Sequence, residues 1–352
     1  MDSSALDFFK DLLNAPGPSG FERPVQEVVR KYMASFADEV TTDRHGNVYC
    51  VKNKQAPLRL MLAGHCDQIG MLVNYIDADG FIYAATIGGW DPQVLIGQKL
   101  IIWTSTGPLN GVTARKPIHL LTDEERRVAV KVKDLWIDIG AKTKEEAAQR
   151  VKIGDPITME LGFRPMLNNL ASSTAMDNRT GLWVVMEALR RASQKTLNCA
   201  VYAVSTVAEE IGLRGAQTST YSVDPHVGIA VDVTHATDCP TMDKKQDGEI
   251  KVGAGPVVFR GPNMSPPVVD RLFRLAETNN IAFQPAASGR ATGTDANVMQ
   301  TTRGGVATGL VSIPNRYMHS PVEVISLDDI DRAADLLAAF ACDLAGDEDF
   351  IP

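Results

Sequence analysis

Apolar residues along the chain recur with two different periods, and the change of period divides it. Over the first forty residues, Leu6, Phe9, Leu12 and Leu13 and then Val25, Val28, Val29 and Tyr32 fall at helical spacing, which predicts two helices. The turn Pro16-Gly17-Pro18-Ser19-Gly20 breaks them. Short strands are predicted at 48–51 and 58–63, the second a continuous apolar run suited to a sheet buried on both faces. Between about 70 and 160 the pattern becomes a series of short β-type runs (71–76, 81–85, 99–103, 129–132) separated by Gly, Pro and Asp turns, with one helix near 144–150. From Met176 onward strands and helices alternate: helix 180–192, strand 199–207, helix 212–221, strand 227–233, helix 268–279, strand 306–313 and a closing amphipathic helix 327–345.

This pattern implies an α/β protein with a three-layer α/β/α domain built from residues 1–69 and 161–352. The β-rich segment 70–160 interrupts it as a small inserted barrel or sandwich. No internal repeat or low-complexity tract stands out.

Composition narrows the function classes. With 352 residues and 44% hydrophobic content, the chain can bury a large core without disulfides or structural metal, so a bound metal would serve chemistry. Its 35 basic and 43 acidic residues give a net charge of −8, which argues against a nucleic-acid partner. The five cysteines form no CxxC pair, and a reducing compartment is the simplest inference. The N-terminal stretch MDSSALDFFKDLL lacks a basic and then apolar leader, and no apolar run approaches the ~20 residues that span a bilayer. The expectation is a soluble cytoplasmic protein with no membrane contact.

The candidate chemistry lies where the apolar runs stop. LRLMLAGH ends at His65 with Asp67 two residues on, CAVYAVSTVAEE ends at Glu209 and Glu210, VGIAVDVTH carries Asp232, and VATGLVSIPNRYMHS runs out to His319. Ligand sites in open α/β sheets gather at the carboxyl ends of strands. Asp177 adds a fifth carboxylate just before a predicted helix, where an Asp ordinarily caps the helix and here could cap and ligate together. Singly, each residue has an ordinary structural explanation; their conjunction after buried strands points to a metal centre. Two divalent ions carry +4, and Asp177, Glu210 and Asp232 supply −3 beside neutral His65 and His319. That balance suits two ions of zinc, cobalt or manganese sharing a hydroxide. Glu209 is left over beside the ligands as the natural general base.

These stretches also resemble the tetrahedral aminopeptidases, the metallopeptidase family that includes glutamyl aminopeptidase, deblocking aminopeptidase and proteins once labelled cellulase M. The resemblance rests on Ala63-Gly64-His65-Cys66-Asp67-Gln68-Ile69-Gly70, Gly88-Gly89-Trp90-Asp91-Pro92-Gln93, Ala175-Met176-Asp177-Asn178-Arg179, Glu209 through Ala216, Ala230 through Asp238, and Arg316 through Glu323. It implies a two-metal aminopeptidase that removes the first residue of short peptides, with Glu209 activating a water between the ions. It further implies His65 and Glu210 on one ion, Asp232 and His319 on the other, and Asp177 bridging, with Asp67 orienting His65. The inserted β domain corresponds to the family's dimerisation domain, and the implied assembly is a homo-oligomer, a hollow tetrahedral dodecamer built from dimers.

Cys66 should point away from the side shared by His65 and Asp67, because neighbours on an extended segment face opposite ways. Gln68 stands where many relatives are expected to carry Glu. His45, His119 and His226 read as structural; His235 is either structural or a substrate contact, and Trp90 is expected to pack across the domain junction. The role of Thr294-Asp295 is open. Lys244 and Lys245, in the loop 238–248, could favour an acidic first residue. The same ligands would also serve a two-metal deacylase or dipeptidase, whereas a glycosidase needs a carboxylate pair without metals. A non-enzymatic shell would have to assemble without hydrolysing any aminoacyl substrate.

Overall fold

The computed structural model describes residues 1–351. Its centre is an eight-stranded sheet in the order Glu39–Thr42, Val48–Lys52, Ala200–Thr206, Arg59–His65, Val227–His235, Ala307–Asn315, Val257–Arg260, Gln284–Ala287. The four central strands run parallel, so their carboxyl ends share one edge. Their near-continuous burial explains why they read as unbroken apolar runs rather than alternating ones.

Helices cover both faces. Ser3–Asn14, Met176–Ala192 and Leu327–Asp343 pack together on one side, while Arg214–Val223 and Asp295–Gln300 lie against the sheet on the other. Met176–Ala192 is buried almost all round, which fits a helix sandwiched between the sheet and an outer helical layer. Ser3–Asn14 and Arg23–Met33 flank the expected proline–glycine turn.

Two glycines bring the Met176–Ala192 helix close to the sheet. A Cβ on Gly64 would lie 2.8 Å from the Gly181 backbone, and one on Gly181 would lie 2.6 Å from the Val231 carbonyl. The helix start therefore approaches the strands ending at His65 and Asp232 more closely than any larger residue allows.

The strands between Gly70 and Met159 close into an antiparallel barrel, ordered Gly70–Ile76, Ile82–Ile87, Trp136–Asp138, Gly107–Ala114, Lys99–Thr104, Pro156–Met159. It has its own core, in which Met71, Val73, Ile82, Ile102, Ile137 and Ile157 interdigitate. The expected strand at 129–132 is absent. Val130 does tuck into the barrel core, but Lys131 N donates to the Asp134 carboxylate and Asp134 N to the Lys131 carbonyl, closing a single 3-10 turn over Val132–Asp134. Trp136–Asp138 pairs with Gly107–Ala114 instead. Gly107–Ala114 escaped the sequence pattern because its glycines and exposed polar positions dilute the alternation.

A separate three-stranded sheet, Arg164–Pro165, Leu170–Ser173 and Glu323–Ser326, sits beside the main one and was not foreseen. Among the described residues no helix is long and apolar enough to cross a membrane.

Candidate metal centre

The parallel register sets the floor of the site. Thr206 lies opposite His65 in the sheet, so Glu209 and Glu210 leave their strand three and four residues beyond that level. Ala230 lies opposite Ala63, which puts Asp232 and His65 each two residues further along adjacent strands. Asp177 enters from the start of its helix, and His319 from the turn after Ala307–Asn315.

Asp177 stands between the two imidazoles. Its Oδ1 is 3.2 Å from His65 Nε2, and its Oδ2 is 3.3 Å from His319 Nε2. His65 Nε2 also lies 3.7 Å from Asp232 Oδ1, and His319 Nε2 lies 3.6 Å from Glu210 Oε2. By these contacts His65 lies beside Asp232 and His319 beside Glu210. The two halves abut: ligand atoms of His65, Asp177 and Glu210 fall within 4.8 Å of one another, as do those of His65, Glu209 and Asp232. Glu209 Oε2 is 3.7 Å from His65 Nε2.

Asp177 does not cap its helix, contrary to one expectation for it. The side-chain cap is Asn178, whose Oδ1 accepts from Gly181 N at 2.9 Å while its Nδ2 donates to the Val231 carbonyl at 2.7 Å. The Asp177 oxygens are thereby free to face the histidines. The Asp177–Asn178 peptide is cis.

Asp67 lies fully buried behind the site. His65 Nδ1 faces the Asp67 carbonyl at 3.1 Å and its carboxylate at 3.4 Å, which leaves Nε2 turned toward Asp177. Asp67 also accepts from Glu209 N at 3.0 Å, Glu210 N at 3.2 Å and Ser19 Oγ at 2.6 Å. One carboxylate thus ties together the turn after one strand, the backbone after another and the loop between the first two helices. Ser19 carried no sequence signal beyond its place in the proline–glycine turn.

The site concentrates buried carboxylates whose protonation equilibria are displaced upward. Burial, followed for Glu209 by the charges of Asp232, Asp295 and Glu210, holds the Glu209 carboxyl well above the usual carboxylate range. Burial and Asp177 do the same to Glu210. Burial also pushes Glu323 up to about 8 and Asp295 up to about 7. His319 is raised to about 9, chiefly by its hydrogen bond to Asp177. Glu210 Oε1 is buried without any hydrogen-bond partner. The imidazoles of His65 and His319 are the cationic groups in direct contact with Asp177, Glu209, Glu210 and Asp232 among the described residues. Two imidazoles and three carboxylates, one of them with an unpartnered oxygen, are a donor set that suits borderline divalent ions.

The remaining residues singled out in the sequence fall as follows. Cys66 is buried in the main core, where burial pushes its thiol up, and it joins no group of ligand atoms. Gln68 Oε1 accepts from Arg179 Nη2 at 2.9 Å. Trp90 donates to the Gly70 carbonyl at 2.9 Å and packs on the barrel core. The preceding Gly89 brings the barrel loop to the site, since a Cβ there would lie 3.4 Å from His319 Nδ1. His45 meets Thr218, and His226 accepts from Arg59 N. His235 is exposed at the end of its strand. Lys244 is taken by Glu249 at 3.1 Å, which weakens its case as a substrate contact. Asp295 is buried beneath the site, accepting from Thr206 Oγ1 at 2.6 Å with its Oδ1 unpartnered.

Comparison with known proteins agrees along the chain's length. The lysyl aminopeptidase of Pyrococcus furiosus is 36% identical over 338 residues, covering 95% of this chain and 95% of that protein. The crystal structure of a TET aminopeptidase from a marine sediment archaeon of the Thaumarchaeota superposes with a TM-score of 0.93 at 36% identity, covering 97% of this chain and 98% of that one. The TET1 peptidase of Pyrococcus horikoshii, described as able to assemble into a tetrahedron or a large octahedral shell, superposes at 0.86 with 29% identity, over 97% of this chain and 100% of that one. The profile of the M42 glutamyl aminopeptidase family matches residues 46–336, which include His65, Asp67, Asp177, Glu209, Glu210, Asp232 and His319, and the chain belongs to that family.

Proposed function

We propose that this member of the M42 family is a two-metal aminopeptidase that releases the N-terminal residue of short peptides. In this reading His65 and Asp232 would hold one divalent ion and Glu210 and His319 the other, with Asp177 available to both. The observation that carries the reading is the Asp177 carboxylate, flanked on its two oxygens by two different imidazoles at 3.2 and 3.3 Å. When bound, such a pair of ions acidifies a water and polarises a scissile carbonyl. Zinc, cobalt and manganese all suit this donor set.

The chain's own groups do the rest. Glu209 lies beside His65 and Asp232 but is not needed to complete either ligand pair, and its buried carboxylate has a high affinity for a proton. It takes a proton from the attacking water and delivers it to the leaving amine. Asp67 fixes the ring of His65 and the peptide N–H groups of Glu209 and Glu210, so that ligand and base share one anchor. The divided domain (residues 1–69 and 161–352) carries the site. The segment 70–160 forms the dimerisation domain of a homo-oligomer of dimers, up to the tetrahedral dodecamer, in the cytoplasm.

The test is Glu209→Gln. It keeps size and hydrogen bonding but cannot take a proton, so metal content should match wild type while kcat falls by about 10²–10⁴. Near-wild-type turnover in that variant sinks the assignment of the base.

A further inference from the structure

Asp67 has a counterpart on the opposite side of the centre. Glu323 is 2% exposed and lies at the start of the strand Glu323–Ser326. Its Oε2 accepts from Asp177 N at 3.1 Å, and its Oε1 accepts from His319 N at 3.0 Å and from Asn315 Nδ2 at 3.4 Å. A single carboxylate therefore receives the backbone N–H groups of two residues 142 positions apart, one from each of two chain segments.

The topology explains why the two segments meet there. Glu323–Ser326 pairs antiparallel with Leu170–Ser173, Glu323 itself opposite Ser173, and that strand leads straight to Asp177. On the other side Arg316 and Val324 exchange hydrogen bonds, and that segment leads to His319. The small three-stranded sheet is thus a bracket between the two segments, with Glu323 at its corner. Both segments also hold residues in the left-handed region: Ala175 at φ 60°, Tyr317 at φ 64° and His319 at φ 60°. Such conformations cost about 1–3 kcal/mol each and persist only where neighbours over-determine them. The hydrogen bond from His319 N to Glu323 is one such determinant.

We propose that Glu323 is a positioning residue that sets the Asp177 and His319 backbones relative to each other, and so fixes the half of the centre formed by Glu210, His319 and one oxygen of Asp177. The proposal rests on the two-metal reading above. Glu323 touches neither substrate nor the reacting atoms; it acts through two peptide N–H groups.

An amide at this position has one oxygen where the carboxylate has two, so Glu323→Gln must oppose an NH2 group to one of the two peptide N–H groups. The experiment compares wild type, Glu323→Gln and Glu323→Ala in three readouts. Competition with a chromophoric chelator gives the affinity for each of two manganese ions. The electron paramagnetic resonance spectrum of the manganese-loaded protein reports coupling between the two ions. Steady-state kinetics at saturating manganese separates kcat from KM. Glu323→Gln should weaken one of the two ions by about 10–100-fold, leave the other within about twofold, and change the coupled signal. It should also lower kcat more than it raises KM, in a protein that still folds but melts a few degrees below wild type.

Two ions bound at wild-type affinity with an unchanged coupled signal in Glu323→Gln would overturn the proposal. If wild type itself bound fewer than two ions, the two-metal reading would fail instead, which keeps the two failures distinct. Should both variants fail to fold, hydrogen exchange on wild-type protein decides. Slow exchange of the His319 amide in the metal-free protein supports the clamp, and exchange as fast as at an exposed loop overturns it.

Discussion

Replacing Asp67 by Asn tests the support of the centre with the least change in shape. Asp67 is fully buried, and its two oxygens receive Glu209 N, Glu210 N and Ser19 Oγ while facing His65 Nδ1. An amide offers one acceptor oxygen. The cheaper orientation puts its NH2 where Oδ2 was, because the Ser19 hydroxyl can turn round to accept whereas the peptide N–H of Glu210 cannot. That leaves one buried donor unsatisfied, at about 1–3 kcal/mol, and converts the remaining bonds from charged to neutral acceptors, at about 1 kcal/mol each. The total comes to about 3–5 kcal/mol of local destabilisation, and it falls on the backbone of Glu210 and the ring of His65. Loss of such a supporting contact typically weakens metal binding about 10–100-fold. The assay is chelator competition on the metal-free variant, with thermal melting of apo and loaded forms beside it. The loaded form should lose more stability than the apo form, because the damage lies in ligand geometry. If Asp67→Asn held both ions within twofold of wild type and kept its kcat, the anchoring role given to Asp67 would be refuted.

Three further outcomes are expected. Gly64→Ala should destabilise by about 1–3 kcal/mol in thermal melts and weaken metal binding together, because its methyl meets the Gly181 backbone at 2.8 Å and pushes the helix carrying Asp177 off the strand carrying His65. Arg179 is fully buried with only the Leu12 and Ala15 carbonyls and Gln68 as partners, and burial lowers it to about 10; Gln68→Glu should therefore raise the melting temperature, through a gain of about 1 kcal/mol, and a fall would show that desolvating the new carboxylate dominates. Asp43 closes the turn before Val48–Lys52 by accepting from His45 N, Gly46 N and Asn47 N and from the side chains of Asn47 and Tyr49; burial pulls its carboxyl up, but these bonds outweigh it and hold it below the usual range. Its stabilisation is accordingly present at neutral pH and is lost as pH falls through that lowered value, so the deficit of Asp43→Asn, about 1–3 kcal/mol at pH 7, should shrink in acid urea titrations.

Much of the site was legible because of how a buried parallel sheet is written. Apolar runs with no polar interruption mark strands covered on both faces, and the first polar residues after them must emerge at one edge. That logic reached His65, Glu209, Glu210, Asp232 and His319 without any knowledge of strand order. It could not reach which carboxylates each imidazole touches, because that depends on the sheet's spatial order and on Asp177 turning one oxygen to each imidazole. Nor could it find Glu323, which reads as one carboxylate in a short exposed-looking stretch until the small sheet places it under Asp177 and His319. The barrel was harder for a related reason. Its strands are short and half-polar, so Gly107–Ala114 looked like loop, while the apolar pair Val130 and Val132 looked like strand although only Val130 reaches the core.

The central claim is that each chain hydrolyses N-terminal residues with two divalent ions held by His65, Asp177, Glu210, Asp232 and His319. Its most direct test is to strip the protein of metal and return cobalt, zinc or manganese in measured equivalents while following cleavage of a panel of aminoacyl-p-nitroanilides. The account predicts no cleavage without metal and activity that rises to a plateau at two ions per chain for at least one substrate. Full activity in the stripped protein, or a plateau reached at a single ion, would contradict it.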